Sequence, residues 1–311
     1  MNKESKILIA GATGLIGSAH KRKFEKEGYE NLISISRSNL DLTNQKDVNN
    51  FFLKQKFDYV ILAAGKVAGI IENKTYPADF IYNNLAIQLN TFEASKKTNV
   101  KKVIFFASSC MYPKLAPQPM SEDLLLSGKP EKTSISYALA KLAGLYSCLA
   151  YNTQMKRQIF IPLIPNSAYG PNDNFNPETA HVLSSLIARF SEAKKNNIKS
   201  ITLWGSGEVK REFIHVDDIA EASIKLLNMG KLDKIPINIG TGVDIKINEL
   251  AKIIADEIGF KGTITWDLDK PDGAKQKLLD SNKIKSYGWA PNIGLTEGIK
   301  STVNWYMENY D

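Results

Sequence analysis

A glycine-rich turn between a short apolar strand and an amphipathic helix is the feature that most restricts how this chain of 311 residues folds. Residues 5–10 predict the strand, Gly11, Gly14 and Gly17 recur at every third position, and the helix is predicted to reach about Gly28. The first glycine permits a tight turn, the second lets a pyrophosphate approach the backbone, and the third lets the helix pack on the strand. The helix N-terminus offers free N–H groups to phosphates. The turn therefore predicts a dinucleotide site.

Buried apolar strands alternate with helices through the first half of the chain. After the first strand, apolar runs end near Ser36, Gly65 and Ala107, and a helix is predicted around 80–98. Strands that alternate with helices form parallel sheets with right-handed crossovers. We therefore predict an α/β protein with a doubly wound parallel sheet, the Rossmann fold, and a smaller C-terminal α/β domain that binds substrate.

The second half predicts how the chain divides between these two domains. A fifth strand is predicted at 158–164, and residues 213–215 and 236–240, with a helix between them, are expected to return the chain to the first domain. The predicted dinucleotide-binding domain is 1–165 plus about 213–241, and the predicted substrate-binding domain is about 166–212 plus 242–311.

Composition narrows the class of protein. Hydrophobic residues make up 43% of the chain, which suits a soluble globular protein, and no apolar run approaches the roughly 20 residues of a membrane span. The chain begins without a signal-peptide pattern, and Cys110 and Cys148 cannot form a disulfide framework, so we expect a cytoplasmic protein. The net charge of +7 comes from scattered lysines near predicted helix ends. We predict no nucleic-acid partner, no membrane partner and no metal site.

The end of the second strand predicts which dinucleotide is bound. Folds that bind NAD usually place an acidic residue about 20 residues after the glycines, but here the chain has Ser36, Arg37 and Ser38. An arginine fork between two hydroxyls suits a 2′-phosphate, so we predict NADP(H) rather than NAD(H). The alternative is that Arg37 is only a surface charge. Asp41 and Leu42 are predicted to lie beside the adenine.

Reactive side chains follow the fourth strand, where the apolar run gives way to Ser108, Ser109 and Cys110. Ligands of open α/β sheets bind outside the carboxyl ends of the strands, so this segment is aimed at a site. A plain strand-to-loop transition with turn-forming serines is the alternative.

Tyr137 and Lys141 lie four residues apart in a predicted helix over 136–151, and therefore share one helix face. An ammonium near a phenol lowers the pKa of the phenol, whose ordinary value is about 10. We therefore expect Tyr137 to act as an acid or base near neutral pH.

Together these motifs resemble the extended short-chain dehydrogenase/reductase family. Further matches follow in one order along the chain: LAAGKV at 62–67, SSCMYPK at 108–114, APQPM at 116–120, YGPNDNF at 169–175, REFIHVDD at 211–218 and KPDG at 270–273. Within the family, they look like the NADPH-dependent epimerase–reductases that convert GDP-4-keto-6-deoxy-D-mannose to GDP-L-fucose. The resemblance implies epimerisation at C3 and C5 followed by reduction at C4.

The resemblance assigns the two reactions to different side chains. It implies that Cys110 and His181 exchange protons at C3 and C5, and that Ser108, Tyr137 and Lys141 serve the reduction. Imidazole titrates near neutrality, and a thiolate forms readily beside a cation, so both types suit proton transfer. The alternatives are a small buried thiol for Cys110 and a helix-start residue for His181. The remaining cysteine is assigned to core packing.

The motifs and the resemblance also predict binding residues. The predicted cofactor contacts are Gly11, Ala12, Thr13, Gly14, Leu15, Ile16, Gly17, Arg37, Asp41, Leu42, Ala63, Ala64, Phe106, Ala107, Ser109, Pro165, Asn166, Ser167 and Ala168. The predicted contacts to the GDP-sugar are Arg189, Trp204, Arg211, Asp272 and Lys277, with strand core as the alternative for the tryptophan. The resemblance further implies a homodimer through helices of the first domain.

Two positions depart from the family pattern, since Thr13 replaces a basic residue and residues 166–168 replace Thr-Asn-Leu. Sibling enzymes that act on other GDP-4-keto-deoxy sugars, such as a GDP-L-colitose synthase or a GDP-6-deoxy-heptose reductase, would keep the same catalytic set. A non-catalytic NADP-binding module on the same fold would be expected to lose Tyr137 or Lys141, and this chain retains both.

Overall fold

The computed structural model describes residues 1–270 and 272–310. Pro271, which belongs to one of the matched motifs, and Asp311, the last residue of the predicted second domain, lie outside the described residues. In the described part of the chain, no helix is both long enough and apolar enough to cross a membrane.

Strands and helices alternate along most of the chain. The strands are β1 (Ile7–Ala10), β2 (Leu32–Ile35), β3 (Tyr59–Leu62), β4 (Lys102–Phe106), β5 (Phe160–Pro165), β6 (Ser167–Tyr169), β7 (Ser200–Trp204), β8 (Lys210–His215), β9 (Ile237–Ile239), β10 (Asp244–Lys246), β11 (Thr263–Asp267) and β12 (Gln276–Lys277). The helices are α1 (Leu15–Lys26), α2 (Gln45–Gln55), α3 (Ile70–Thr75), α4 (Pro77–Lys97), α5 (Ile135–Met155), α6 (Val182–Lys195), α7 (Val216–Asn228), α8 (Ile247–Ile258), α9 (Asn282–Ser286) and α10 (Leu295–Tyr310).

The central sheet is parallel throughout, in the order β2-β1-β3-β4-β5-β9. Its middle strands are buried on both faces, and alternate residues enter two different cores. In β4, Phe105 packs into the core that includes Phe92 of α4 and Leu145 of α5, whereas Ile104 packs into the core that includes Phe24 of α1. The predicted doubly wound parallel sheet is therefore confirmed. Cys148 lies fully buried in the first of these cores, as predicted.

Local sequence signals set where the flanking helices begin and end. The Asn44 side chain accepts hydrogen bonds from the N–H groups of Lys46 and Asp47 at the start of α2. Pro77 occupies the first turn of α4, where its missing N–H is not needed. Gly259 ends α8 with a φ of +78°, which a residue without Cβ adopts at little cost.

A second layer of strands lies beyond the carboxyl edge of the central sheet. Strand β8 pairs with β6, β10 and β12, and β7 pairs with β11. Helices α6, α8 and α10 contribute a separate hydrophobic core, which includes Phe190, Ile254 and Val303. Residues 213–215 belong to β8 in this layer, where they pair with β6, and β9 lies at the edge of the central sheet. The boundaries of the two domains stay a prediction.

Candidate active site

The glycine turn sits where the order of strands in the sheet reverses, between the carboxyl ends of β1 and β3. A Cβ on Gly11, whose φ is +86°, would lie 2.8 Å from the Ala64 backbone nitrogen. A Cβ on Gly17 would lie 2.1 Å from the Gly11 carbonyl oxygen, so these two glycines are required for packing. A Cβ on Gly14 would meet only the Gly11 oxygen, at 3.6 Å. Gly14 is therefore not needed by the fold, which leaves its space to a ligand.

The start of α1 fits a dinucleotide phosphate. Gly14 is the N-cap, and in the described residues no side chain caps this end of the helix. No acidic residue occupies the first turn to compete for its N–H groups. Thr13 is exposed at the tip of the turn, while Ala63 and Ala64 lie beside it at the end of β3. The chain thus offers backbone donors and small side chains at the position predicted for the pyrophosphate.

Two substitutions separate the packing glycine from the ligand-facing glycine. Gly17→Ala is expected to destabilise the fold by about 1–3 kcal/mol, because the new methyl group overlaps the Gly11 carbonyl. Gly14→Ala is expected to leave the unfolding temperature nearly unchanged but to weaken NADPH binding at least about tenfold, or 1.4 kcal/mol. Thermal unfolding and fluorescence titration with NADPH measure the two effects. Equal loss of stability in both variants would contradict this division.

Arg37 is exposed after β2 and has no ion-pair partner within the described residues. Beside it, the Ser36 and Ser38 hydroxyls lie 2.8 Å apart. Asp41 accepts hydrogen bonds from the N–H and hydroxyl of Thr43, and these bonds, with the nearby Arg37 charge, lower the pKa of Asp41. The guanidinium is therefore available to a phosphate. Leu42, by contrast, packs its side chain in the core, so only its backbone could face an adenine.

The predicted reduction residues meet at the carboxyl end of β4. Tyr137 is buried in α5 and lies close enough to Ser108 for hydrogen bonding to that side chain. Lys141 is also buried, and its Nζ donates a hydrogen bond to the Phe106 carbonyl oxygen at 2.9 Å. The Ser108 hydroxyl accepts from the Cys110 N–H at 3.2 Å. The structure thus brings a hydroxyl, a phenol and an ammonium together beside the thiol.

The structure corrects the expected effect of Lys141 on Tyr137. Burial raises the pKa of Tyr137 above its usual range, negative charge on Cys110 raises it further, and only the hydrogen bond with Ser108 opposes the shift. The Lys141 Nζ lies 5.9 Å from the centre of the Tyr137 ring and bonds to a carbonyl instead. Burial also lowers the pKa of Lys141 to about 8. In the protein alone, the phenol is therefore a protonated donor rather than a phenolate.

Asn84 of α4 is a polar residue of this region that the sequence did not single out. It is fully buried, and its amide donates to the carbonyl oxygens of Lys66 and Phe80. A Cβ on Gly65 would lie 2.8 Å from Asn84 Oδ1 and 3.5 Å from Lys141 Nζ, so both atoms face the same backbone. The local signal was weak, because the buried face of α4 also carries Gln88, Asn90 and Thr91.

Cys110 lies between residues that are distant in the sequence. Its Sγ is 4.0 Å from the Nζ of Lys277, in β12. Burial lowers the pKa of the Arg211 guanidinium, while the charges of Asp272 and Cys110 oppose this shift, so Arg211 also lies near the sulfur. The thiol is only partly buried. These contacts argue against the alternative of a small core residue for Cys110.

His181 is the second residue that the resemblance assigns to epimerisation. It is exposed at the N-cap of α6, as its predicted place at the helix start requires, and it lies near the Asp173 carboxylate. Within the described residues, no hydrogen bond or ion pair joins His181 to Cys110. The turn before His181 is tied to the segment after β3, because the Gly69 N–H donates to the Thr179 carbonyl oxygen at 2.9 Å.

The predicted GDP-sugar residues line the second layer. Trp204 is 64% exposed on the open face of β7, which rules out strand core, and the Nζ of Lys270 lies 5.7 Å from its ring centre. The Arg189 guanidinium donates to the Thr202 carbonyl oxygen at 2.7 Å. Asp272 accepts hydrogen bonds from the N–H and hydroxyl of a neighbouring serine. An exposed indole with arginines and a carboxylate can hold a nucleotide base, its phosphates and a sugar.

The Asn166 side chain, which follows β5, points into the protein interior. The Asn166 side chain bonds to Ser109 and to Glu212, a carboxylate in β8 that is fully buried. Burial raises the pKa of Glu212, although hydrogen bonds to the carboxylate oppose the shift. Ser167 and Ala168 pair with β8 as part of β6. The sequence did not mark Glu212, although a charged residue within the strand Lys210–His215 was the signal available.

Known proteins place these features in a family. The model of the NAD dependent epimerase/dehydratase family matches residues 7–240. GDP-L-fucose synthase 1 of Arabidopsis thaliana is 47% identical over 99% of this chain and 95% of that protein, and GDP-L-fucose synthase of Escherichia coli K12 is 44% identical over 100% and 99%. The solved structure of a GDP-mannoheptose C4 reductase from Campylobacter jejuni, with NADP bound, is 39% identical and superposes with a TM-score of 0.91 over 99% of both chains. The chain therefore belongs to the NAD dependent epimerase/dehydratase family, in agreement with the short-chain dehydrogenase/reductase resemblance of its motifs.

Proposed function

We propose that this protein is an NADPH-dependent epimerase–reductase that converts GDP-4-keto-6-deoxy-D-mannose to GDP-L-fucose. The observation that carries the proposal is the position of Cys110, which lies 4.0 Å from Lys277 and beside the group of Ser108, Tyr137 and Lys141. A simple ketone reductase needs only that group. A thiol at the same ketone adds the proton transfer that epimerisation requires. The identity of 47% and 44% to two GDP-L-fucose synthases supports the same assignment.

Epimerisation uses the acidity that a C4 ketone gives to the C–H bonds at C3 and C5. Cys110 removes or returns a proton on one face of the sugar, and His181 does so on the other, so each centre is inverted without net gain or loss of protons. The Lys277 ammonium stands where negative charge develops on the sulfur.

Reduction completes the reaction at the same carbonyl. NADPH, when bound at the glycine turn, supplies a hydride to C4. Tyr137 donates its phenolic proton to the C4 oxygen, and Ser108 orients that oxygen with a hydrogen bond. The raised pKa of Tyr137 keeps the proton on the phenol until negative charge develops on the substrate oxygen. The Lys141 ammonium adds positive charge beside this transfer.

The proposal is tested by NADPH oxidation with GDP-4-keto-6-deoxy-D-mannose, beside its 3-deoxy analogue, followed by NMR of the products. We expect consumption of NADPH and formation of GDP-L-fucose with both centres inverted. Preference for the analogue, or for a GDP-4-keto-heptose, would instead identify a sibling enzyme, an outcome to which the likeness to a GDP-mannoheptose C4 reductase gives weight. No turnover of any GDP-4-keto sugar would overturn the proposal.

We propose that Arg37 selects NADPH, because its guanidinium is exposed and free of ion pairs within the described residues. Arg37→Ala is expected to weaken NADPH binding about 10- to 100-fold, the loss of a charge-assisted hydrogen bond, and to leave NADH binding nearly unchanged. Fluorescence titration with each cofactor measures both affinities. Arg157→Ala, at an exposed site on the amino side of β5, is the matched control. Native preference for NADH would contradict the assignment.

We propose that the protein forms a homodimer through α4 and α5. These helices pack on each other and expose Tyr82, Leu89, Leu139 and Tyr146. Each pair is spaced seven residues apart, so its members share one helix face. Sedimentation equilibrium is expected to give twice the chain mass, and Leu89→Glu with Leu139→Glu is expected to give monomers. A monomeric native protein would contradict this proposal.

We also propose that the protein works in the cytoplasm. Cys110 has to remain a thiol to transfer protons, and both cysteines are free. A reducing compartment preserves such a thiol.

A further inference from the structure

A buried hydrogen-bond network connects the Cys110 turn to the strand that carries Lys277. The Ser109 hydroxyl donates to Asn166 Oδ1 at 3.1 Å. The Asn166 amide nitrogen donates to the Glu212 carboxylate, and also to the Lys277 carbonyl oxygen at 3.4 Å. One asparagine therefore touches the residue before Cys110 and the backbone of its cationic partner.

Glu212 anchors the other end of this network. Its side chain is fully buried, and the Leu279 N–H donates to one carboxylate oxygen at 2.9 Å while the Gly242 N–H donates to the other at 2.6 Å. Asn166 adds a third donor. Because every partner donates, only an acceptor with two oxygens satisfies the site. The carboxylate thus holds both Asn166 and the segment that follows Lys277 in place.

The network converges on one pair of side chains. Cys110 and Lys277 are 167 positions apart in the chain, and β12, which carries the lysine, pairs with β8 over only two residues. So short a strand holds its side chains weakly by itself. Asn166 links the Ser109 side chain to the Lys277 backbone by hydrogen bonds.

We propose that Asn166 is a positioning residue that holds Cys110 and Lys277 at working distance for proton transfer at C3 and C5. The inference rests on the proposed function and deepens it. Lys141 is held by the Phe106 carbonyl oxygen, and Tyr137 by its place in α5. Neither contact involves Asn166. Loss of Asn166 is therefore expected to slow epimerisation more than hydride transfer.

Two variants and two assays test this inference. Asn166→Ala removes the hydrogen bonds to Ser109, Glu212 and Lys277. Ser109→Ala removes only the hydrogen bond between Ser109 and Asn166, and it opens no large cavity. Epimerisation is measured as deuterium incorporation at C3 and C5 from D₂O in the presence of NADP⁺. Hydride transfer is measured alone, as single-turnover oxidation of GDP-L-fucose by NADP⁺. Both assays are run at saturating NADP⁺, because Ser109 and Asn166 are also predicted cofactor contacts. We expect exchange to fall about 10- to 100-fold in both variants, the scale of a small misplacement of reacting groups, and to fall clearly further than hydride transfer.

Tyr112→Phe is the matched control, because it also removes one buried hydrogen bond from this turn, the 2.6 Å bond to Asn238. It should change stability as Ser109→Ala does but leave exchange within about twofold of native. Three results would each overturn the inference. The two network variants could lose exchange and hydride transfer equally, they could lose no exchange, or the Tyr112 control could lose as much exchange as they do. If the native protein itself neither exchanges nor oxidises these sugars, the proposed function fails and the inference fails with it.

Discussion

Tyr137→Phe is expected to lower C4 reduction by about 10²- to 10⁴-fold, the usual contribution of a general acid, while C3 and C5 exchange remains measurable. The change removes one oxygen from a buried ring that packs edge-on against Phe80 at 6.3 Å, so the packing is retained. Burial raises the pKa of Tyr137, which means that the native phenol carries its proton at neutral pH and only has to deliver it. Single-turnover NADPH oxidation and deuterium NMR measure the two steps separately.

Tyr151→Phe is the control for this variant. Tyr151 lies in the same helix and donates a hydrogen bond to Glu93 at 2.9 Å, away from the carboxyl end of β4. It should keep native reduction. A native rate of C4 reduction in the Tyr137 variant would show that the phenol is not the proton donor. Loss of C3 and C5 exchange together with reduction would indicate that the side chain organises the whole site.

Cys110→Ser is expected to lower deuterium incorporation at C3 and C5 by about 10²- to 10⁴-fold, and to leave oxidation of GDP-L-fucose by NADP⁺ near native. A hydroxyl has almost the same shape as a thiol but is a far poorer proton acceptor beside the Lys277 ammonium. The reduction group of Ser108, Tyr137 and Lys141 remains in place. NMR in D₂O measures exchange at each carbon, and the absorbance of NADPH measures oxidation.

Cys148→Ala tests whether the effect belongs to one thiol. Cys148 is fully buried in the core under α5, so this variant should lose stability but retain exchange. Normal incorporation in the Cys110 variant would show that another base serves C3 and C5. Loss of deuterium incorporation at only one of the two carbons would show that Cys110 serves that carbon and that a second group serves the other.

Local patterns were enough to predict the parallel sheet and the residues of its carboxyl edge. The glycine turn, the strand that ends at Ser108 and the pair Tyr137–Lys141 are each encoded within a few residues, because backbone conformation and helix periodicity act over that range. Their roles in catalysis stay a prediction. The same local signals do not tell which strand residues 213–215 pair with, because the partner of a short apolar strand is set by tertiary packing.

Three features of the site depend on contacts that no local pattern contains. Lys277 comes near Cys110 when β12 pairs with β8, and Glu212 gains its partners when β8, the residue after β5 and the segment after β12 meet. The direction of the Tyr137 pKa shift follows from how deeply α5 buries the phenol, whereas the i, i+4 spacing predicted only the nearby ammonium. The sequence by itself therefore determined the sheet, the dinucleotide turn and the reactive side chains. Only the tertiary structure decided which charges face them, because desolvation and long-range strand pairing arise when distant segments pack together.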